Sequence, residues 1–113
     1  MRAIIIDPFL CEVREADIEN TLEEFQRIVG GGYIEFGVWI NRGTDVLYVN
    51  DFAFWEERFM IGPRHVFSGC GLITGRDPPG NSKDMARPAR VPLAEIQGVV
   101  RFAPKRAASP APR

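Results

Sequence analysis

Residues 33–50 constrain this chain more than any other stretch. From Tyr33 to Ile40 the side chains alternate strictly. Ile34, Phe36, Val38 and Ile40 fall on one side, and Tyr33, Glu35, Gly37 and Trp39 on the other. A period of two marks a strand, because successive Cβ atoms point to opposite faces. Asn41-Arg42-Gly43 supplies turn residues, and residues 44–50 (Thr-Asp-Val-Leu-Tyr-Val-Asn) resume the β-rich run, so 33–50 reads as a hairpin. The alternation puts Phe36 on a core face and Tyr33 and Trp39 on the opposite one. Large aromatics on both faces predict a sheet covered on both sides, by the chain itself or by a partner.

The flanking segments fit the same architecture. Residues 2–6 are an apolar, Ile-rich run that reads as a strand buried on both faces. Asp7-Pro8 breaks it, and residues 11–18 alternate polar with apolar, completing an N-terminal hairpin. Residues 20–29 read as an amphipathic helix with Leu22, Phe25, Ile28 and Val29 on one face. Asn20 with Glu23 makes a capping box, Thr21 with Glu24 offers a second frame, and Gly30-Gly31-Gly32 ends the helix. Phe52, Trp55 and Phe59 have helical spacing, which predicts a short helix over 51–59. Residues 65–74 read as one or two strands bent at glycines. Residues 76–91 are Pro-rich loop, 92–97 a short helix opened by Pro92 and stopped by Gly98, and 99–102 a last strand. The expected fold is a single α+β domain over 1–103: a mostly antiparallel sheet of two or three hairpins, packed by one main amphipathic helix with one or two short helices. A basic Pro- and Ala-rich tail over 104–113 is expected to be disordered.

Charge is uneven along the chain. Residues 1–60 set five arginines against twelve acids, a net of −7, whereas residues 61–113 set nine cations against three acids, a net of +6. The basic half invites an anionic partner, while the acidic half opposes tight non-specific binding to phosphates. The two cysteines, Cys11 and Cys70, do not form a Cys-x-x-Cys pair, and read as reduced, buried, small hydrophobes. With a single histidine they cannot complete a four-ligand zinc site. No stretch approaches the ~20 apolar residues of a spanning helix. The first residues lack the pattern of a signal peptide. The expectation is a cytoplasmic protein.

No catalytic constellation emerges. Gly69-x-Gly71-x-x-x-Gly75 does not have the spacing of a dinucleotide loop and reads as glycine-shaped β structure. His65 and Cys70 stand five apart on a bent strand, a poor placement for a thiolate and its base. Asp45, Asp51, Glu56 and Glu57 do not follow a calcium-loop pattern and read as solvated charge. No cofactor and no metal are expected. The aromatics carry the strongest signal: nine of twelve lie between Tyr33 and Phe67. Trp39 and Trp55 are candidate interface anchors. Arg64, His65, Arg76, Lys83, Arg87 and Arg90, in segments marked by Gly and Pro, are candidate binding residues on a positive rim.

Several short motifs in order also resemble a known grouping. An Ile-Ile-Asp-Pro start joins a Leu-Glu-Glu helix ending in Gly-Gly. Leu47-Tyr48-Val49-Asn50-Asp51 and Gly69-Cys70-Gly71-Leu72-Ile73-Thr74-Gly75 follow, and Leu93-Ala94-Glu95-Ile96 with Val99-Val100-Arg101-Phe102 closes the series. The series resembles a domain family of unknown function found in phages, plasmids and other mobile genetic elements, over residues 1–103. The chain departs from that pattern between Gly80 and Val91. The resemblance implies an intracellular accessory protein and brings no catalytic residues. The expected function is therefore non-enzymatic: docking on another macromolecule, such as inhibition or regulation of a host defence complex. A protein partner is favoured over nucleic acid, a homodimer is a further option, and no membrane is expected. The alternative is a module for a small anionic ligand such as a nucleotide.

Overall fold

The computed structural model describes residues 1–52, 55–76 and 84–103. Within them the chain forms β1 (Arg2–Asp7), β2 (Glu12–Asp17), α1 (Leu22–Ile28), β3 (Ile34–Ile40), β4 (Asp45–Asn50), β5 (Arg58–Ile61), β6 (His65–Ser68), β7 (Gly71–Gly75), α2 (Leu93–Val99) and β8 (Val100–Phe102). Five strands pair in the order β2-β1-β7-β4-β3, and three more in the order β6-β5-β8. Every pairing is antiparallel.

The expected α+β fold packed by one main helix is therefore corrected. Over the described residues the chain is mostly β, with two sheets and two short α-helices. Helix α1 has only seven residues and buries one of them, Phe25. The second sheet escaped the sequence reading because Phe59, given to a helix over 51–59 by its spacing, belongs to β5. Its ring is fully buried beside Phe67 of β6, at 5.6 Å between centroids. The tertiary pairing of β5 with both β6 and β8 overrode a weak local signal.

Alternation along the central strands divides the core between two faces of the large sheet. Ile4, Ile6, Leu47, Val49 and Ile73 pack toward the small sheet and α2, where they meet Phe59, Ile61, Ile96 and Val100. Ala3, Ile5 and Leu72, on the other face, meet Phe25 and Val29 from the α1 region and Ala86. Apolar residues on both faces of β1 and β7 are what a central strand needs. The N-terminal hairpin forms as read: Asp7 Oδ1 accepts from the backbone N–H of Phe9 and Leu10 and so shapes its turn.

The helix starts in the second of the two possible frames. Thr21 is the N-cap, and its hydroxyl accepts from the Glu24 N–H. Asn20 is free for a different task. Its side chain accepts from the N–H groups of Met85 and Ala86 and donates to the Ala86 carbonyl, fastening the returning segment to the α1 side. At the other end, the buried Asn50 side chain donates to the carbonyls of Val29 and Gly31. Gly30 follows at φ +105, where a side chain would be strained, and a β-carbon there would lie 2.7 Å from the Trp55 ring. Helix α2 runs through Gly98, which does not stop it; Pro92 occupies the N-cap.

Residues 84–91 are not plain loop. Ala86, Ala89 and Val91 are buried, and Gly75 donates its N–H to the Arg87 carbonyl at 2.8 Å. Asp45, read from sequence as solvated, is fully buried instead. Its Oδ2 accepts from the N–H groups of Arg90 and Val91 at 2.9 and 2.8 Å. One carboxylate thus pins the segment to the start of β4.

Candidate functional site

The site builds up from a bulge in β3. Ile34 pairs with Asn50 and Phe36 with Tyr48, but then the register shifts, and Val38 pairs with Leu47 and Trp39 with Val46. One extra residue at Gly37 reverses the alternation. Ile34 packs with the α1-side cluster while Val38 and Ile40 pack with the other. Phe36, placed in the core by the uninterrupted pattern, is instead 48% exposed and lies 4.9 Å from the Trp39 ring, itself 51% exposed. Tyr33, just before the strand, is 71% exposed. The bulge therefore gathers an aromatic patch that strict alternation would have split.

That patch stands on an edge. β3 is the outermost strand of its sheet, and among the described residues no other strand pairs with its outer side. The opposite edge, β2, is protected in two ways. It carries Glu12, Arg14, Glu15 and Asp17, and Gln97 of α2 donates to its Val13 carbonyl. Beside β3, Val38, Ile40, Ile61, Val91, Ile96 and Val99 help line a cavity of about 640 Å³, with His65, Trp39 and Glu95 also in its wall. Sequence reading missed this groove, because its wall is assembled from strands and a helix far apart in the chain.

The sequence-predicted residues fall into three places. Trp39, Arg76, Arg87 and Arg90 come together. The Arg76 guanidinium lies 4.6 Å from the centroid of the Trp39 ring, and the three arginines line one pocket of about 320 Å³ with Gly43, Thr44 and Gly75. Arg64 and His65 sit exposed at the β5–β6 turn, where the His65 ring stacks on Phe67. Trp55 is separate: it is half-buried, its ring meets Phe9 edge-on at 6.4 Å, and it covers Gly30 and Gly69. Lys83 and the tail over 104–113 lie outside the described residues.

Cys11 is exposed rather than buried, and Cys70 is half-buried. Burial, reinforced by the nearby Asp7 carboxylate, pushes the Cys70 thiol up to about 12. The thiolate is the nucleophilic form, so Cys70 is nearly unreactive near neutrality. Labelling with iodoacetamide at pH 8 should modify Cys11 first and leave Cys70 intact until the chain unfolds; equal rates in the folded protein would contradict this placement. The folded state holds this proton more tightly than the unfolded chain does. The stabilisation it brings is present below about pH 9 and is lost as the pH rises toward 12.

Among the described residues no group of three or more His, Cys, Asp and Glu side chains is placed to hold a metal ion. No helix among them is long and apolar enough to cross a membrane. Among the described residues, the fold and the site together define a two-sheet antiparallel protein whose β3 edge is unpaired and carries exposed aromatics. Set against models of protein families, curated proteins and solved structures, the chain matches none of them.

Proposed function

We propose that this protein is a non-enzymatic docking module that takes up an extended segment of a partner protein along β3. The observation that carries the reading is the open β3 edge, flanked by exposed Phe36 and Trp39 and by the apolar groove whose wall Trp39 shares. A strand added to an edge gains main-chain hydrogen bonds, and its alternate side chains find separate surfaces. One set would lie on Phe36 and Trp39, and the other would enter the groove walled by Val38, Ile40 and Ile96. The favoured segment is apolar, with an acidic residue toward the β3–β4 turn, where Arg76, Arg87 and Arg90 stand. The resemblance to mobile-element proteins adds the expectation that the partner belongs to a host complex.

The test immobilises the wild-type chain and a Phe36→Glu variant and exposes both to host lysate with and without nuclease. Phe36 is half-exposed, so the substitution should leave stability within about 0.5 kcal/mol. The expected result is a protein retained by wild type regardless of nuclease and lost with Phe36→Glu. Retention by both chains would move the docking surface off β3. Loss on nuclease treatment would favour nucleic acid, and a wild-type dimer abolished by Phe36→Glu in sedimentation would identify the occupant as a second copy.

A further inference from the structure

We infer that, when no partner is bound, the β3 edge pairs antiparallel with the β3 edge of a second copy, across a two-fold axis between Gly37 and Val38. The inference rests on the reading of β3 as a docking edge and names what covers that edge in the free protein. Backbone direction carries it, and two hydrogen bonds fix the phase. The Asp51 N–H donates to the Tyr33 carbonyl, so Tyr33 faces β4, and by alternation Ile34 and Phe36 turn their backbone groups outward. The Arg76 N–H donates to the Thr44 carbonyl, so Thr44 faces β7 and Asp45 faces β3. Trp39, paired with Val46, then also turns its backbone outward. The bulge leaves Gly37 and Val38 both on the β4 side. Outward groups thus stand at Ile34, Phe36 and Trp39, a step of two and then of three. Among the described residues nothing outside the sheet bonds to the backbone of Phe36 or Trp39.

A regular strand repeats its outward groups at every second residue. It therefore meets Phe36 or Trp39 in phase but not both, unless it carries an extra residue of its own. A second copy carries that residue in the same place. Laid antiparallel, its Trp39 falls opposite Phe36 and its Phe36 opposite Trp39, and each pair can exchange both backbone hydrogen bonds. Residues 37 and 38 span the interval on both strands. The Phe36 and Trp39 rings are 4.9 Å apart and about half exposed, and directly opposite residues share a face, so the pairing joins four rings in one cluster. Charge agrees with this orientation. Glu35 and Arg42 are exposed, and among the described residues neither forms an ion pair. Antiparallel pairing brings Glu35 of each copy to the end of β3 that Arg42 of the other follows. An unprotected edge strand is a template for pairing with another chain. The contact is far shorter than a stable dimer interface, so the dimer is weak and a partner segment displaces it.

Sedimentation of the purified full chain, from low micromolar to near-millimolar concentration and without lysate, should show reversible monomer–dimer exchange. Phe36→Glu should remove the dimer, and Val66→Glu, also half-exposed but on β6, should leave it. Crosslinking in a Cys11→Ser background reads the register. Phe36→Cys mixed with Trp39→Cys and treated with a short bis-maleimide should give several-fold more crosslinked dimer than either variant alone. Only the mixture sets the two thiols opposite each other and keeps the second Phe36–Trp39 pair. Equal yields would overturn the register. A monomer at every concentration, or a dimer that survives Phe36→Glu, would overturn the inference. A chain that stays monomeric yet retains a host protein through Phe36 keeps the docking reading and loses this one. A β3 dimer that retains no host protein does the reverse, so the two fail separately.

Discussion

Replacing Phe25 with alanine should destabilise the protein by about 3–5 kcal/mol, the range for truncating a fully buried phenylalanine. Phe25 is the largest residue that α1 commits to the core, with none of its surface exposed. Its ring lies 5.8 Å from Tyr48 and packs in the cluster of Ile5, Val29 and Leu72. Because α1 is one short helix over one face of the sheet, little else is available to collapse into the space. Phe25→Leu keeps the apolar contact and most of the volume and should cost less than about 1.5 kcal/mol. Urea denaturation of both variants checks the pair. A loss below about 1 kcal/mol for Phe25→Ala would show that α1 does not cap that face of the sheet.

Asp45→Ala should cost about 2–6 kcal/mol, since two backbone donors lose their acceptor at about 1–3 kcal/mol each. Arg90 and Val91 would be those donors, and Val91 belongs to the core between the sheets. Asp45→Asn keeps an oxygen that accepts and should lose less. The Ala variant should also expose residues 84–91 to protease. A chain that keeps its urea midpoint after Asp45→Ala would show that the carboxylate is not the tether.

The strands were legible where pattern and pairing agreed. Residues 2–6 are apolar on both faces because β1 lies inside the sheet, and residues 33–50 alternate because β3 and β4 are a hairpin. The phase of β3 beyond Phe36 was not legible. A bulge at Gly37 reverses it, and nothing in the composition of Ile34-Glu35-Phe36-Gly37-Val38 distinguishes a glycine that flips the faces from one that merely fills a position. The second sheet stayed hidden because β5 read as the end of a helix over 51–59; β6 and β8 were legible as strands, but their pairing with β5 was not. The basic residues were visible as a set, but their grouping was not. Arg76, Arg87 and Arg90 converge because buried Asp45 and the Gly75–Arg87 bond pull one segment in, whereas Arg64 leaves on another turn. Trp55 is half-buried and covers two glycines of its own fold, a packing contact that its residue type alone does not announce.

Hydrogen exchange at the β3 amides, compared between the free chain and the chain holding its captured partner, tests the central claim most directly. An added strand satisfies outward-facing backbone groups, so the account predicts that exchange over residues 34–40 slows in the complex while residues 12–17 of the protected edge stay as they were. Unchanged exchange over 34–40, with new protection elsewhere, would contradict docking at this edge.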